Sequence, residues 1–401
     1  MTTARITWDA ASARRMERQF LARPADGGTS AADVVAEVVG AMAGAHAQVP
    51  SAAEVSVGMR ASGVTRADVR AALWEERSLV KTYGPRGTVH LLPARELPLW
   101  SAALSAVPVG PSPFPPEVRL TDEQAEQVVA AIGDALDGRC LTVDELTEEV
   151  VARTGPWAGD RVMPAFQDLW PRWRQVLHRA GWAGTLCFGP NRGRRTTYTR
   201  PPYAGGRTDA GRRTDAGRRT DAAEVFRHFV GRYLHAYGPA TPQHFARWLG
   251  APPGWAADLF RELAAGGAVE AVDFEGTPAW VAAGDTEFPE GPARGVRLLP
   301  YFDAYVVAAQ PRERLFPGRA YQRALAGGQA GNHPVLLVDG VVAGVWHQRR
   351  RGRRTTVTVE PLDRLTARQE RELAGQVERV GEVLEATAEL VVGEVTVGPH
   401  A

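Results

Sequence analysis

His46 and Gln48 are the two side chains whose types and spacing most directly suggest chemistry. They lie in the stretch Gly44-Ala45-His46-Ala47-Gln48-Val49-Pro50-Ser51, with one alanine between them. Alternate positions on a turn can point the same way, so an imidazole and a carboxamide placed like this can grip a single water. Residues 31–43 are small and apolar at helical spacing, and Pro50 ends any helix that runs into it. The pair is therefore expected at a helix end, where a side chain projects into a cleft. A polar helix C-cap is the plainer reading of the same residues. The surrounding elements decide between the two.

With 401 residues, 44% hydrophobic and 23% charged, the chain is expected to be a soluble globular protein of two or three domains. No apolar run approaches the roughly 18–20 residues of a membrane span, and the first twenty residues are polar and amphipathic, unlike a signal peptide. A cytoplasmic location is expected. Cys140 and Cys187 stand alone, without a CxxC pair or a Cys/His cluster, which argues against a disulfide framework, a zinc site or an iron–sulfur site. No metal and no cofactor are expected.

The net charge of +1 neither favours nor excludes a nucleic-acid partner, because the distribution of charge matters more than its sum. Lys81 is the only lysine, and arginine clusters at Arg192/Arg194/Arg195, Arg207–Arg219 and Arg349–Arg354. Clustered guanidinium groups on one face track phosphates. Solvated faces in a sequence that writes Arg for Lys are the alternative, and they explain the residue choice better than the clustering.

The pattern predicts a helix over about Ala10–Leu21, a second over Ala31–Ala45, and a third opened by Thr65-Arg66-Ala67-Asp68 and ending near Glu76. Two β-rich pieces follow in residues 79–94, joined by Gly84-Pro85-Arg86-Gly87, and this hairpin carries Arg86 and His90. Three helices and a hairpin outline a winged helix. The outline recurs: helices over Leu120–Leu136, Thr142–Thr154 and Pro164–Ala180, the last interrupted at Pro171, then a basic hairpin over 184–200 with its turn at Asn191-Arg192-Gly193. A third copy has helices over 222–238, 241–250 and 254–267 and a wing over 268–284.

The expected division is a first module over 1–105, a second over 116–204, a linker over 205–221, a third module over 222–290 and a β-rich unit over 291–401. The linker repeats GRRTDA in tandem; its Gly and balanced Arg/Asp content cannot bury a core, so it is expected to be flexible, with a phosphate-binding arm as the other reading. In the last unit, 296–309, 333–350 and 354–362 read as strands, and Ala367–Ala386 as a helix packed on them. The RRRGRR turn there, with Arg349, Arg350, Arg351 and Arg353, is either a hairpin tip facing a phosphate backbone or a solvated tip.

Taken in order, His46-Ala47-Gln48 after an apolar helix, RGTVHLLPA (86–94), RYLHAYGPATPQHFARW (232–248), LLPYFDAYVV (298–307) and VDGVVAGVWH (338–347) resemble the AlkZ/YcaQ-like bacterial DNA glycosylases. The resemblance spans roughly residues 5–390. It implies an α+β fold of tandem winged helices with a C-terminal β-barrel-like unit, C-shaped overall, holding duplex DNA in its channel. It also implies a monomer that hydrolyses the N-glycosidic bond of alkylated purines, N7-alkylguanine above all, including bulky natural-product adducts and crosslinks. Base excision repair or self-resistance to a genotoxin would be its role. The family's catalytic motif, Gln-x-Gln or Gln-x-Asp, falls on His46 and Gln48; position 48 matches the first form and position 46 departs from both.

N7 alkylation puts a positive charge on guanine, so the base leaves without strong acid help, and the enzyme must mainly place a water at C1′ beside a developing sugar cation. A carboxamide orients that water but is no base, whereas a neutral imidazole can do both. The expected roles are therefore Gln48 as water positioner and His46 as base or cation stabiliser, with activity falling below about pH 6. Arg86, His90, Arg192, Arg194, Arg195, Arg349, Arg350, Arg351 and Arg353 are the candidate DNA contacts, although a turn-supporting Arg86 and a half-buried strand His90 fit equally. Asp303 reads as structural, paired with an arginine of the following PRER. Glu17, Glu54 and Asp68 show no spacing that marks an acid/base pair. Two other classes fit the modules: a winged-helix DNA-binding protein without catalysis, which would keep DNA affinity but release no base, and a protein-binding scaffold, whose affinity would ignore salt.

Overall fold

The computed structural model describes residues 4–27, 30–108, 110, 112, 114–164, 168–202, 222–325 and 327–400. The GRRTDA linker over 205–221 lies outside the described residues. The fold is mixed α+β, with a curled five-stranded half-barrel sheet in its last third.

Three times the chain places three helices beside a three-stranded sheet. In the first unit the helices are Ala31–Ala41, Pro50–Gly58 and Arg66–Trp74, and the sheet runs in the order Ala45–His46, Val89–Pro93, Leu79–Tyr83. Thr65 and Asp68 close the third helix's N-terminus as a reciprocal capping box. In the second unit Thr142 and Glu145 do the same for Val143–Thr154, next to strands Leu141–Thr142, Arg195–Thr199 and Cys187–Arg192. The third unit (Ala222–Tyr237, Pro242–Leu249, Pro253–Ala265) borrows a strand from the N-terminus. Arg5–Ile6 pairs in parallel with Val269–Phe274, and the helix Trp8–Arg18 follows it into the same neighbourhood.

Several expectations require correction. Pro50 does not stop a helix; it starts Pro50–Gly58, because its missing N–H falls where a first helical turn has no use for one. Leu97–Ser105, also opened by a proline, escaped the sequence reading. The helix expected over Pro164–Ala180 is instead a short hairpin (Arg161–Pro164 with Leu169–Pro171), a 3-10 turn and the helix Leu177–Trp182; Pro171 in its middle blocks a continuous helix. The apolar run 296–309 divides into the strand Val296–Leu299 and the helix Ala304–Ala308, with Asp303 as N-cap. Thr387–Val392, a fifth strand, was not foreseen.

The half-barrel runs Val296–Leu299, Val335–Val338, Val341–Arg351, Arg354–Pro361, Thr387–Val392. Trp346, Val357 and Val359 face inward onto Leu373, Val377 and Val380 of the helix Ala367–Val383 and onto Val55 and Met59 of the first unit. The last third is thereby welded to the helix that follows His46 and Gln48. At that contact Arg60 and Asp303, both fully buried, form a two-pronged ion pair at 2.7 and 2.8 Å, and Ser56 donates to the same carboxylate at 2.6 Å. Asp303 is structural, as expected, but its partner is Arg60 rather than an arginine of PRER.

Candidate active site

His46 and Gln48 are not a helix cap. The chain leaves the helix Ala31–Ala41 through Ala43 and Gly44, both at positive φ, and turns into a two-residue edge strand. Gly44 is needed there: a Cβ would lie 2.9 Å from Leu92 Cδ2. His46 pairs with His90 across the strand, and the Ala47 N–H continues the ladder to the Val89 carbonyl at 2.8 Å. Ala47 is buried, His46 half-buried and Gln48 exposed. The period of two in a strand, rather than a turn, sends the two polar side chains away from the core. Gln48 has no hydrogen-bond partner among the described residues, so its carboxamide is available for a ligand.

The imidazole of His46 lies against that of His90, with ring centroids 4.1 Å apart. Arg86 Nη2 reaches to 3.5 Å from its Nε2. A guanidinium only donates, so Nε2 carries the lone pair and Nδ1 the proton. Desolvation first, then His90, then the Arg86 charge hold the His46 imidazole well below its ordinary pKa, so it is neutral at pH 7. Arg86 itself sits at φ 59° in the turn Pro85–Gly87. The turn packs on the end of the helix Pro242–Leu249, where a Cβ on the left-handed cap Gly250 would lie 3.2 Å from Arg86 Cα.

His90 is 2% exposed, which removes it from phosphate contact; this corrects its place among the candidate DNA contacts. Its Nδ1 donates to the Thr88 carbonyl at 2.9 Å, and a Cβ on Gly84 would come within 2.6 Å of that nitrogen. Burial pushes its pKa down to about 4, against 6.5 in the unfolded chain. As pH falls below 6.5, the unfolded chain therefore takes up a proton that the folded protein refuses. Stability present above pH 6.5 is lost towards pH 4, by about 3 kcal/mol from this residue at ~1.4 kcal/mol per unit. His46 shifts in the same direction. Urea unfolding is expected to show a lower midpoint at pH 5 than at pH 7.5; equal midpoints would mean that His90 is protonated in the folded state.

The remaining candidates separate by register. His347, Arg349 and Arg351 pair with Thr358, Thr356 and Arg354, so they share one sheet face, which opens into a concavity of about 1030 Å³. Arg350 alternates to the other face and Arg353 occupies the turn. Arg354, in the clustered run but left out of the candidate contacts, and the threonines beside it also line this concavity, as period-two alternation across the Gly352 turn marks. In the second unit Arg192 pairs with Glu145 at 2.9 Å and Arg195 approaches Asp144 at 3.9 Å; Arg194 is exposed. Glu54 is engaged by Arg70 at 2.7 and 2.9 Å and Asp68 by its capping box, so neither is a free acid or base.

Residues 39–383 fit the family described as DNA glycosylase AlkZ-like, and the chain belongs to that family. It is a DNA glycosylase. A relative from Streptomyces sahachiroi, described as an interstrand DNA cross-link repair glycosylase, is 31% identical over 352 residues, covering 85% of this chain and 88% of its own. The solved structure of Streptomyces sahachiroi DNA glycosylase AlkZ superposes with a TM-score of 0.73 at 28% identity, over 96% of this chain and 100% of that one. No described helix is long and apolar enough to cross a membrane.

Proposed function

We propose that the protein is a monofunctional glycosylase that hydrolyses the N-glycosidic bond of N7-alkylated purines in duplex DNA, crosslinked or bulky adducts included, in base excision repair or genotoxin self-resistance. The observation that carries this reading is the strand edge at His46 and Gln48: an unpartnered carboxamide two residues from an imidazole kept neutral. Gln48 orients the attacking water. His46 assists as a base through a nitrogen freed from Arg86, or faces the sugar cation as an uncharged dipole. A protonated imidazole there would repel the cationic base, and burial guards against it.

In the same reading the three helix-plus-sheet units act as winged helices, within the ranges 1–105, 116–204 and 222–290, and the unit 291–401 completes a C-shaped channel for a monomeric, cytoplasmic enzyme on chromosomal DNA. Arg86, Arg192, Arg194, Arg195, Arg349, Arg350, Arg351 and Arg353 contact phosphates. Arg349 and Arg351, two strand positions apart on one face, are the best placed of these. Arg351→Ala is expected to reduce the slope of log affinity against log salt by about 0.9, the value for one lost phosphate contact on a duplex. An unchanged slope would remove that residue from the interface.

Incubation with duplex DNA containing 7-methylguanine and, separately, an N7–N7 crosslink, scored for abasic sites, tests the proposal. Base release with an intact strand supports it. Binding without release of either lesion contradicts it.

A further inference from the structure

Many arginines of the chain are held by carboxylates, as Arg60 is by Asp303 and Arg314 by Glu275. Arg86, Arg247 and Arg312 form no such ion pair among the described residues; their partners are neutral. Arg86 Nη2 lies 3.5 Å from His46 Nε2, Arg247 donates to Gln310 Oε1 at 3.4 Å, and Arg312 donates to the Val306 and Val307 carbonyls at 2.7 and 2.5 Å. The fold gathers them from three places: the turn Pro85–Gly87, the helix Pro242–Leu249 and the helix Arg312–Leu315. Gly250, three residues after Arg247, is where the turn lands, since a Cβ there would lie 3.0 Å from Arg86 Cγ. Gln310 links Arg247 to the segment entering Arg312–Leu315, and its own carbonyl is held by the buried Arg15 at 2.8 Å. Desolvation first, then the charges of Arg247 and Arg86, pull the Arg312 pKa down to about 10, which leaves it protonated at pH 7.

Three like charges without a counter-ion repel one another, and a bound anion relieves that repulsion. Arg86 and Arg247 are exposed and keep N–H groups without a partner, whereas Arg312 is half-buried with both terminal nitrogens engaged, so it adds charge rather than contact. Resting on the assignment of His46 and Gln48 as the reacting pair, we propose that Arg86 and Arg247, backed by Arg312, form a receptor for one backbone phosphate of the damaged strand, beside the nucleotide whose base is removed. A forked guanidinium suits a phosphodiester's two free oxygens. Contact between Arg86 and His46 selects the linkage, because only phosphates adjoining the reacting sugar come within reach of both. The receptor also serves the chemistry. Positive charge develops at C1′, which three bare guanidinium groups would oppose; the phosphate cancels one of those charges and sets its own negative field against the sugar cation.

The test is the affinity of the full chain for duplexes carrying one 7-methylguanine, each with a single methylphosphonate at one linkage flanking the lesion, which removes one phosphate charge in place. Wild type is expected to lose roughly tenfold in affinity at one linkage and little at the others, the size of a lost charge-assisted contact. Arg247→Ala, an exposed change that spares the fold, is expected to bind the unmodified duplex about tenfold more weakly and to be indifferent to that same linkage, as two halves of one contact require. Equal losses in the two proteins, or no linkage-specific loss in wild type, would overturn the receptor; a site for free phosphate alone gives the second of these results. Base release is scored on the same duplexes. Release without a linkage-specific loss removes the receptor and leaves the glycosidic reading standing, whereas a linkage-specific loss without release does the reverse.

Discussion

His46→Ala is expected to lower single-turnover excision of 7-methylguanine by roughly 10²–10⁴-fold, the range for loss of a general acid–base group, and Gln48→Ala by on the order of 10²-fold, the cost of a misplaced nucleophile. Neither substitution removes core packing: Gln48 is exposed and His46 half-buried, so both variants should fold and bind duplex DNA as wild type does. The unperturbed imidazole pKa implies a fall in rate below about pH 6. Desolvation, His90 and Arg86 move that limb well below the ordinary histidine range. The rate of wild type is therefore expected to stay level from pH 8 through pH 6, with loss only in more acid solution where unfolding also sets in. His46→Gln, which restores the family's Gln-x-Gln motif, is expected to recover most of the activity lost in His46→Ala. Rescue would assign His46 to positioning water, and its failure would assign proton transfer.

The second large effect concerns the pair that holds the site's helix in place. Asp303→Ala is expected to destabilise the protein by about 3–5 kcal/mol, because it strands a buried guanidinium. Folded domains hold only ~5–15 kcal/mol, so this is a large share of the total. Arg60 lies two residues beyond Pro50–Gly58 and Ser56 within it, so loss of Asp303 loosens the helix that starts two residues after Gln48. The double change Arg60→Met/Asp303→Leu is expected to cost less than Asp303→Ala alone, since no uncompensated charge remains. Thermal or urea unfolding of the three proteins decides this; a single variant as stable as wild type would show that the pair is not buried in solution.

The long periodic helices, the three hairpins that follow them and the C-terminal sheet were legible because capping boxes such as Thr142/Glu145 and alternating strands are local signals. The site's own geometry was not. Two residues of strand at Ala45–His46 are too short to show a period, and their pairing partner, His90, lies 44 positions away in sequence but directly opposite in the sheet. Prolines misled at helix starts, where Pro50 and Pro98 open helices, whereas Pro171, read as an interruption, breaks its segment more completely than expected. Arg60 could not be matched to Asp303 from sequence, because a charge in an apolar helix looks exposed until its partner, 243 residues on, is folded against it. Family resemblance singled out His46 and Gln48 as the candidates. It did not reveal the neutral, mutually tilted imidazoles or the Arg86 contact, which depend on packing.

The most direct test of the His46/Gln48 assignment is abasic-site formation under single turnover on a duplex carrying one 7-methylguanine, comparing wild type with the double variant His46→Ala/Gln48→Ala at matched occupancy of DNA. The expected result is base release by wild type and none above background by the double variant, with equal affinity for the duplex. Excision by the double variant at the wild-type rate would place the reacting water elsewhere.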